Sequence, residues 1–275
     1  MKMMRRVQLL LNWLLRRQSE TCIACGIHTG SFSEFPGICT SCSAQIPWIH
    51  NIRCVHCGRS TFCPDCVRSD RTVRYYVCNR SATSYTPIMR EWIGQFKYRG
   101  NEKYGPPLGE MMHRAYQAMR YEFAGLEYFR FHRSLRSVNL VTCVPVSDTR
   151  LTERGFNQAQ ILAEELARRN KLPFLPLLAR PQDTGKQSFK TKKERTDTMY
   201  NAFSVVPGMT ELIKHFVLNG DFQHKMEKHK YVTVLLVDDI YTTGSTLQAC
   251  ARVLGEKASE EGIHMTIFCL TLARS

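Results

Sequence analysis

The run Val234-Leu235-Leu236-Val237-Asp238-Asp239-Ile240-Tyr241-Thr242-Thr243-Gly244-Ser245-Thr246 limits the fold of this chain more than any other stretch. Residues 231–237 are aliphatic or β-branched almost throughout, which predicts a parallel strand covered on both faces. Two adjacent acids end it, and a turn of short hydroxyl residues leads into a helix predicted over 247–257. Unobstructed N–H groups at such a helix start attract a phosphate. Asp238 and Asp239 are then placed to accept hydrogen bonds from two vicinal sugar hydroxyls, while Thr242, Thr243, Gly244, Ser245 and Thr246 hold a 5′-phosphate. A neutral diol between acids and phosphate, with Mg²⁺ nearby, removes the like-charge conflict. A bare strand-to-helix turn requires neither a paired acid nor three threonines.

The rest of the chain fits an α/β domain around that strand. Residues 139–144 form a second apolar run that ends in the polar stretch 145–158, including Val146, Ser147 and Arg154. A polar loop at a strand's carboxyl end is where open α/β sheets bind ligands. Helices are predicted over 85–98, 108–123 and 158–169, the second starting after Pro106-Pro107. Further strands are expected near 173–178, 202–206 and 265–272, with an edge strand at 71–77. Residues 180–195 carry Lys186, Lys190, Lys192, Lys193 and Arg195 with hardly an apolar residue, the pattern of a mobile basic loop. Residues 207–230 form a polar insert whose His215, His224 and His229 lack companions at metal spacing.

Ahead of this domain the composition changes. Eight of the 12 cysteines fall as C-x2-C pairs: Cys22/Cys25, Cys39/Cys42, Cys54/Cys57 and Cys63/Cys66. Such pairs point to metal rather than to a disulfide scaffold. Two pairs close one tetrahedral four-sulfur site, so eight thiolates make two structural Zn²⁺ sites. Sequential pairing is the expectation, with a cross-braced arrangement as the alternative and an iron–sulfur cluster as the chemical rival. His28, His50 and His56 are expected as bystanders. A segment this small buries little core, so metal supplies most of its folding free energy. Three regions follow: a basic amphipathic helix in residues 1–20, a double zinc ribbon in 21–70, and the α/β domain in 71–275. Residues 1–18 combine Arg5, Arg6, Arg16 and Arg17 with an apolar stripe and are expected to dock on the protein's own core. No signal peptide or membrane span is legible, which suits a reducing, cytoplasmic setting.

Charge adds a class of partner. Lys and Arg total 38 against 24 Asp and Glu, a net +14, which favours anionic ligands. Phe96-Lys97-Tyr98-Arg99-Gly100 interleaves cations with aromatics, a combination that grips single strands through phosphate contacts and stacking. Lys97, Tyr98, Arg99, Lys192 and Lys193 are therefore the candidate nucleic-acid contacts.

The segment 234–246 resembles the phosphoribosyl-diphosphate (PRPP) motif of the type I phosphoribosyltransferases. With the four cysteine pairs, Phe96 to Gly100, Arg154-Gly155-Phe156-Asn157-Gln158, and Gln187 with Arg195 and Asn201, the chain resembles the ComF family of competence proteins over nearly its whole length. The resemblance implies a type I phosphoribosyltransferase-like parallel sheet flanked by helices, preceded by a small cysteine-rich zinc-ribbon domain. It implies that Asp238 and Asp239 hold ribose hydroxyls, that Thr242 to Thr246 hold the 5′-phosphate, and that the loop after Val144 takes the pyrophosphate. Lys190 or Arg195 would close over the leaving group. It further implies a role in natural transformation, with single-stranded DNA and a competence helicase or translocase as partners. Turnover is left open. A transferase of nucleotide salvage using PRPP and Mg²⁺ is the alternative, and no acceptor-base pocket is legible beside the motif.

Overall fold

The computed structural model describes residues 20–68, 73–98, 100–124, 138–180, 202–215 and 231–275. The expected N-terminal helix, Arg99, the basic segment 181–195 with Lys190, Lys192, Lys193 and Arg195, and residues 216–230 of the insert lie outside them. The chain divides into two compact units, 1–46 and 47–275. Composition places a boundary near residue 70; the division at 46 instead puts the second cysteine quartet in the same unit as the sheet.

In the first unit β1 (Glu20–Thr21) pairs antiparallel with β2 (His28–Thr29), and a one-turn helix α1 spans Thr40–Ser43. The Cys39 sulfur accepts the Cys42 N–H at the start of that turn, at 3.4 Å. Phe35, Ile38 and Ile46 are the apolar side chains buried with the sulfurs in this unit.

The second unit contains α2 (Pro64–Arg68), β3 (Asn79–Ser84), α3 (Pro87–Tyr98), α4 (Gly105–Ala124), β4 (Leu140–Cys143), α5 (Asp148–Arg154) and α6 (Gln158–Asn170). It continues through β5 (Leu178–Ala179), β6 (Ser204–Val205), α7 (Met209–Ile213), β7 (Tyr231–Tyr241), α8 (Ser245–Glu260) and β8 (His264–Arg274). Its main sheet has the order β3-β8-β7-β4, parallel throughout. Val141 adds a parallel bridge to Phe174 beyond β4. Both faces are covered, as a parallel sheet requires. On one face Leu140, Val232, Val234, Leu236, Ile267 and Cys269 join Cys250, Ala251 and Leu254 of α8, together with Cys54, Cys57 and Cys63, in one core. The other face packs on α4 and α6; Phe123 of α4 meets Phe268 of β8 with ring centroids 5.9 Å apart. Among the described residues no helix is long and apolar enough to cross a membrane.

Three expectations are corrected. Of the edge strand expected over 71–77, the described residues 73–77 lie outside any strand, and the ladder with β8 starts at Asn79. That strand, Asn-Arg-Ser-Ala-Thr-Ser, reads as a polar turn, yet it is buried, with hydrogen bonds from its side chains to β8 and to each other. Ser81 Oγ and Thr271 Oγ1 lie 2.6 Å apart, Asn79 Nδ2 donates to Ser81 Oγ, and Thr83 Oγ1 donates to the Leu272 carbonyl. The polar stretch after β4 contains α5, started by Ser147, whose Oγ accepts the Arg150 N–H, and ended by Gly155 at φ 81°. The motif strand runs on through the acids to Tyr241, because β8 is long enough to pair Asp238 with Thr271 and Tyr241 with Arg274.

Candidate functional site

β7 delivers Asp238 and Asp239 to the carboxyl end of the sheet, and the chain then turns through Thr242 and Thr243 to Gly244. Gly244 has φ 82°, and a Cβ there would come within 2.2 Å of Tyr241 Oη. Only glycine fits this turn. Thr242, Thr243 and Ser245 are exposed and Thr246 is partly so. Thr243 Oγ1 lies 3.0 Å from Ser245 Oγ and accepts the Ser245 N–H at 3.4 Å. Gly244 has no side chain to cap α8, Thr243 Oγ1 takes the Ser245 N–H, and a helix start of this kind attracts an anion.

The two carboxylates have different surroundings. Asp239 is ion-paired with Lys97, both side chains being about one-seventh exposed. Asp238 accepts the Asp239 N–H at 2.8 Å. Burial pushes the Asp238 carboxyl up to about 7, helped by the adjacent Asp239 charge and opposed by that N–H and by Lys97 and Arg180. Because the folded pKa lies above the ordinary value of about 3.9, ionising Asp238 costs folding free energy as pH rises from about 4 to 7, and that cost is fully present above 7. Asp238→Asn removes it. The variant is expected to be more stable than wild type at pH 8, on the order of 2 kcal/mol, with the difference narrowing below pH 7 and closing near pH 4. Thermal melts across that range check it.

β4 sets a second wall beside the acids. Cys143 pairs with Val237, and the Val144 N–H donates to the Val237 carbonyl, so the chain from Pro145 to Ser147 leaves the sheet next to Asp238. Val146 is half-buried; Ser147 is buried as the cap of α5. The Arg154 to Gln158 motif has a structural account residue by residue. Gly155 ends α5, and Asn157 starts α6 by accepting the Ala159 N–H while its Nδ2 donates to the Val144 carbonyl at 3.1 Å. Arg154 Nη1 donates to Gln158 Oε1 at 3.0 Å. The Phe96–Tyr98 cluster packs on this motif: Phe96 meets Phe156 at 5.3 Å between centroids, and the Arg154 guanidinium stands 5.2 Å over the Tyr98 ring. Tyr98 is otherwise exposed.

Three site residues were not singled out by sequence. Arg180, at the end of β5, lies close enough to Asp238 to favour its charge, and its guanidinium sits over Phe203. Arg274, next to Tyr241 in the ladder, donates to the Thr242 carbonyl at 2.8 Å. Tyr76 Oη and Tyr241 Oη lie 2.9 Å apart under Gly244. All three depend on long-range packing that no local sequence pattern signals.

The eight cysteines form two groups in sequential order, Cys22, Cys25, Cys39, Cys42 and Cys54, Cys57, Cys63, Cys66, the sulfurs of each within 4.8 Å of one another. Tetrahedral Zn–S bonds of about 2.3 Å put sulfurs roughly 3.8 Å apart. Cys25 and Cys39 are 3.9 Å apart and Cys57 and Cys63 3.5 Å, so the donor sets fit zinc and need no histidine. Burial alone would raise the Cys22 thiol, but N–H groups of Cys39, Cys25 and Ala24 outweigh it and bring it to about 6, favouring the thiolate that binds metal.

A parallel α/β sheet with an acidic pair and a glycine turn at the end of one strand, in a chain with two four-cysteine centres, defines a phosphoribosyltransferase-like protein with a cysteine-rich N-terminal region. The chain belongs to the ComF family of competence proteins. It is 30% identical over 249 residues to Competence protein ComFC of Bacillus subtilis (strain 168), covering 86% of this chain and 84% of that protein. It is 26% identical over 231 residues to Competence protein F of Haemophilus influenzae, covering 82% and 87% respectively. DNA utilization protein YhgH of Escherichia coli (strain K12) is 26% identical over 252 residues, covering 86% of this chain and 98% of the relative. No family model matches the chain.

Proposed function

We propose that this protein handles DNA during uptake or utilization and that its phosphoribosyl site binds PRPP or a related ribose phosphate with Mg²⁺. The observation that supports this best is the placing of Asp238 and Asp239 on one side of Gly244 and the start of α8 on the other. Ribose hydroxyls donate to the carboxylates, the 5′-phosphate lies on residues 242–246, the segment Val146–Ser147 with Arg154 lies toward the pyrophosphate, and Lys190 and Arg195 are assigned to contact it. Mg²⁺, bound through ligand oxygens and water, offsets the charge of the acids and pyrophosphate. Lys97 is held by Asp239, and we assign it to this site.

Single-stranded DNA is the second ligand. Tyr98, Arg99, Lys192 and Lys193 supply stacking and phosphate contacts, and the relatives' names, competence and DNA utilization, support that reading. A competence helicase or translocase is the protein partner, in the cytoplasm, and zinc fills both cysteine quartets.

Calorimetry with PRPP and Mg²⁺ is expected to show one site per chain, and pyrophosphate release with a panel of bases separates binding alone from a salvage transferase. No heat with PRPP or ribose 5-phosphate would remove the phosphoribosyl reading. For DNA, Lys192→Ala with Lys193→Ala is expected to weaken oligonucleotide binding about tenfold and flatten its salt slope, as two phosphate contacts are lost. Fluorescence anisotropy over a salt series measures both; an unchanged slope contradicts the assignment.

A further inference from the structure

We infer that Arg274 is a positioning residue that couples the metal state of the second cysteine quartet to the ribose-phosphate turn. The inference rests on the phosphoribosyl reading of that turn. Arg274 is buried, and its guanidinium stands 4.6 Å over the Tyr241 ring. Nη1 donates to the Tyr241 carbonyl at 3.3 Å and to the Thr242 carbonyl at 2.8 Å. Nη2 donates to Cys57 Sγ at 3.7 Å. Cys57 is fully buried and is one of the four sulfurs of the quartet. One planar cation therefore touches a metal ligand with one nitrogen and the first residue of the turn with another.

A second connection runs in parallel. Arg74 Nη2 donates to the Cys66 carbonyl, and the Tyr75 N–H donates to Gln248 Oε1 in the first turn of α8. The adjacent Tyr76 hydroxyl meets that of Tyr241 directly beneath Gly244. The chain leaving the quartet thus supports the turn from below while Arg274 holds its start.

The charge balance gives the direction of the coupling. Four thiolates on a divalent ion leave a net negative cluster, and an N–H donor to one sulfur stabilises it. When the metal leaves, no metal–sulfur bond fixes Cys57 Sγ against the Arg274 guanidinium. Arg274 then loses its anchor on Cys57 and holds the Thr242 carbonyl less firmly, so the turn no longer presents its N–H groups in one arrangement. Metal in the quartet accordingly raises affinity for the ribose phosphate, and by linkage the ligand slows loss of that metal.

The test uses the full chain loaded with zinc, a chromophoric chelator and ribose 5-phosphate. In wild type, saturating ligand is expected to slow release of one of two zinc ions about tenfold and to leave the other unchanged. Arg274→Gln is expected to release that zinc about tenfold faster, regardless of ligand, and to bind ribose 5-phosphate about tenfold more weakly. Arg274→Lys, which keeps the charge but not the fork, falls between them. The wild-type arm requires no variant, so a poorly folded Arg274→Gln leaves the test intact. Ligand that binds wild type without slowing either zinc, or full coupling in a folded Arg274→Gln, overturns the relay. Failure of ribose 5-phosphate to bind wild type at all overturns the site assignment instead, and the relay with it.

Discussion

Asp238→Asn combined with Asp239→Asn is expected to lower affinity for ribose 5-phosphate by at least about 100-fold. Each hydrogen bond from a sugar hydroxyl to a charged carboxylate contributes about 1.5–3 kcal/mol, so two together amount to a factor of about 100 or more. An amide in the same place presents one acceptor oxygen and one donor group and no charge. The double variant is expected to keep its fold, because its two changes act in opposite directions. Neutralising Asp238 removes a carboxylate whose ionisation burial disfavours, while neutralising Asp239 deprives the partly buried Lys97 of its partner. Calorimetry gives the affinity, and a thermal melt at the same pH shows that folding is preserved. Unchanged affinity in the double variant would remove both acids from the ligand site.

The second large effect concerns the cysteines. Cys57→Ser is expected to lose one of two zinc ions and to destabilise the unit 47–275 by several kcal/mol. Cys57 is fully buried in the core that also holds Tyr76, Tyr241, Cys250 and Ala251, and its carbonyl accepts from Asn79 Nδ2 at 3.2 Å. Losing the ion there leaves buried thiols and a buried hydroxyl in the middle of α8's packing surface. Cys22→Ser is expected to lose the other ion, with loss of order confined to residues 20–46. Elemental analysis counts the zinc, and amide hydrogen exchange locates the change. Equal destabilisation of residues 47–275 by both variants would contradict the division of the chain into two units.

Where apolar runs set the structure, the sequence was readable. The predicted strand at 231–237, helix at 158–169 and strand at 265–272 correspond to β7, α6 and β8, with ends shifted by a few residues. The C-x2-C pairs follow from spacing, since each such loop brings its own two sulfurs together; the sequential grouping of the pairs into quartets is settled only in the fold. β3 was hidden because Asn79, Ser81 and Thr83 are polar by composition and buried only through partners on β8 nearly 200 residues later. α5 is hidden in the sequence because Ser147 and Gly155 read as loop residues, whereas they are the two ends of a helix. Lys97 read as a cation among aromatics; its position against Asp239 depends on how α3 crosses the end of the sheet. The contact between Arg274 and Cys57 joins residues 217 positions apart, a distance at which no local pattern carries information.

The most direct test of the phosphoribosyl site is a crystal structure of the protein with ribose 5-phosphate and Mg²⁺. Density is predicted at the end of β7, with the phosphate on the N–H groups of residues 243–246 and the ribose diol against Asp238 and Asp239. Lys97 is expected to remain close to Asp239 or to move onto a ligand oxygen. A ligand bound elsewhere, or a phosphate turned away from the start of α8 with the acids untouched, would contradict the account.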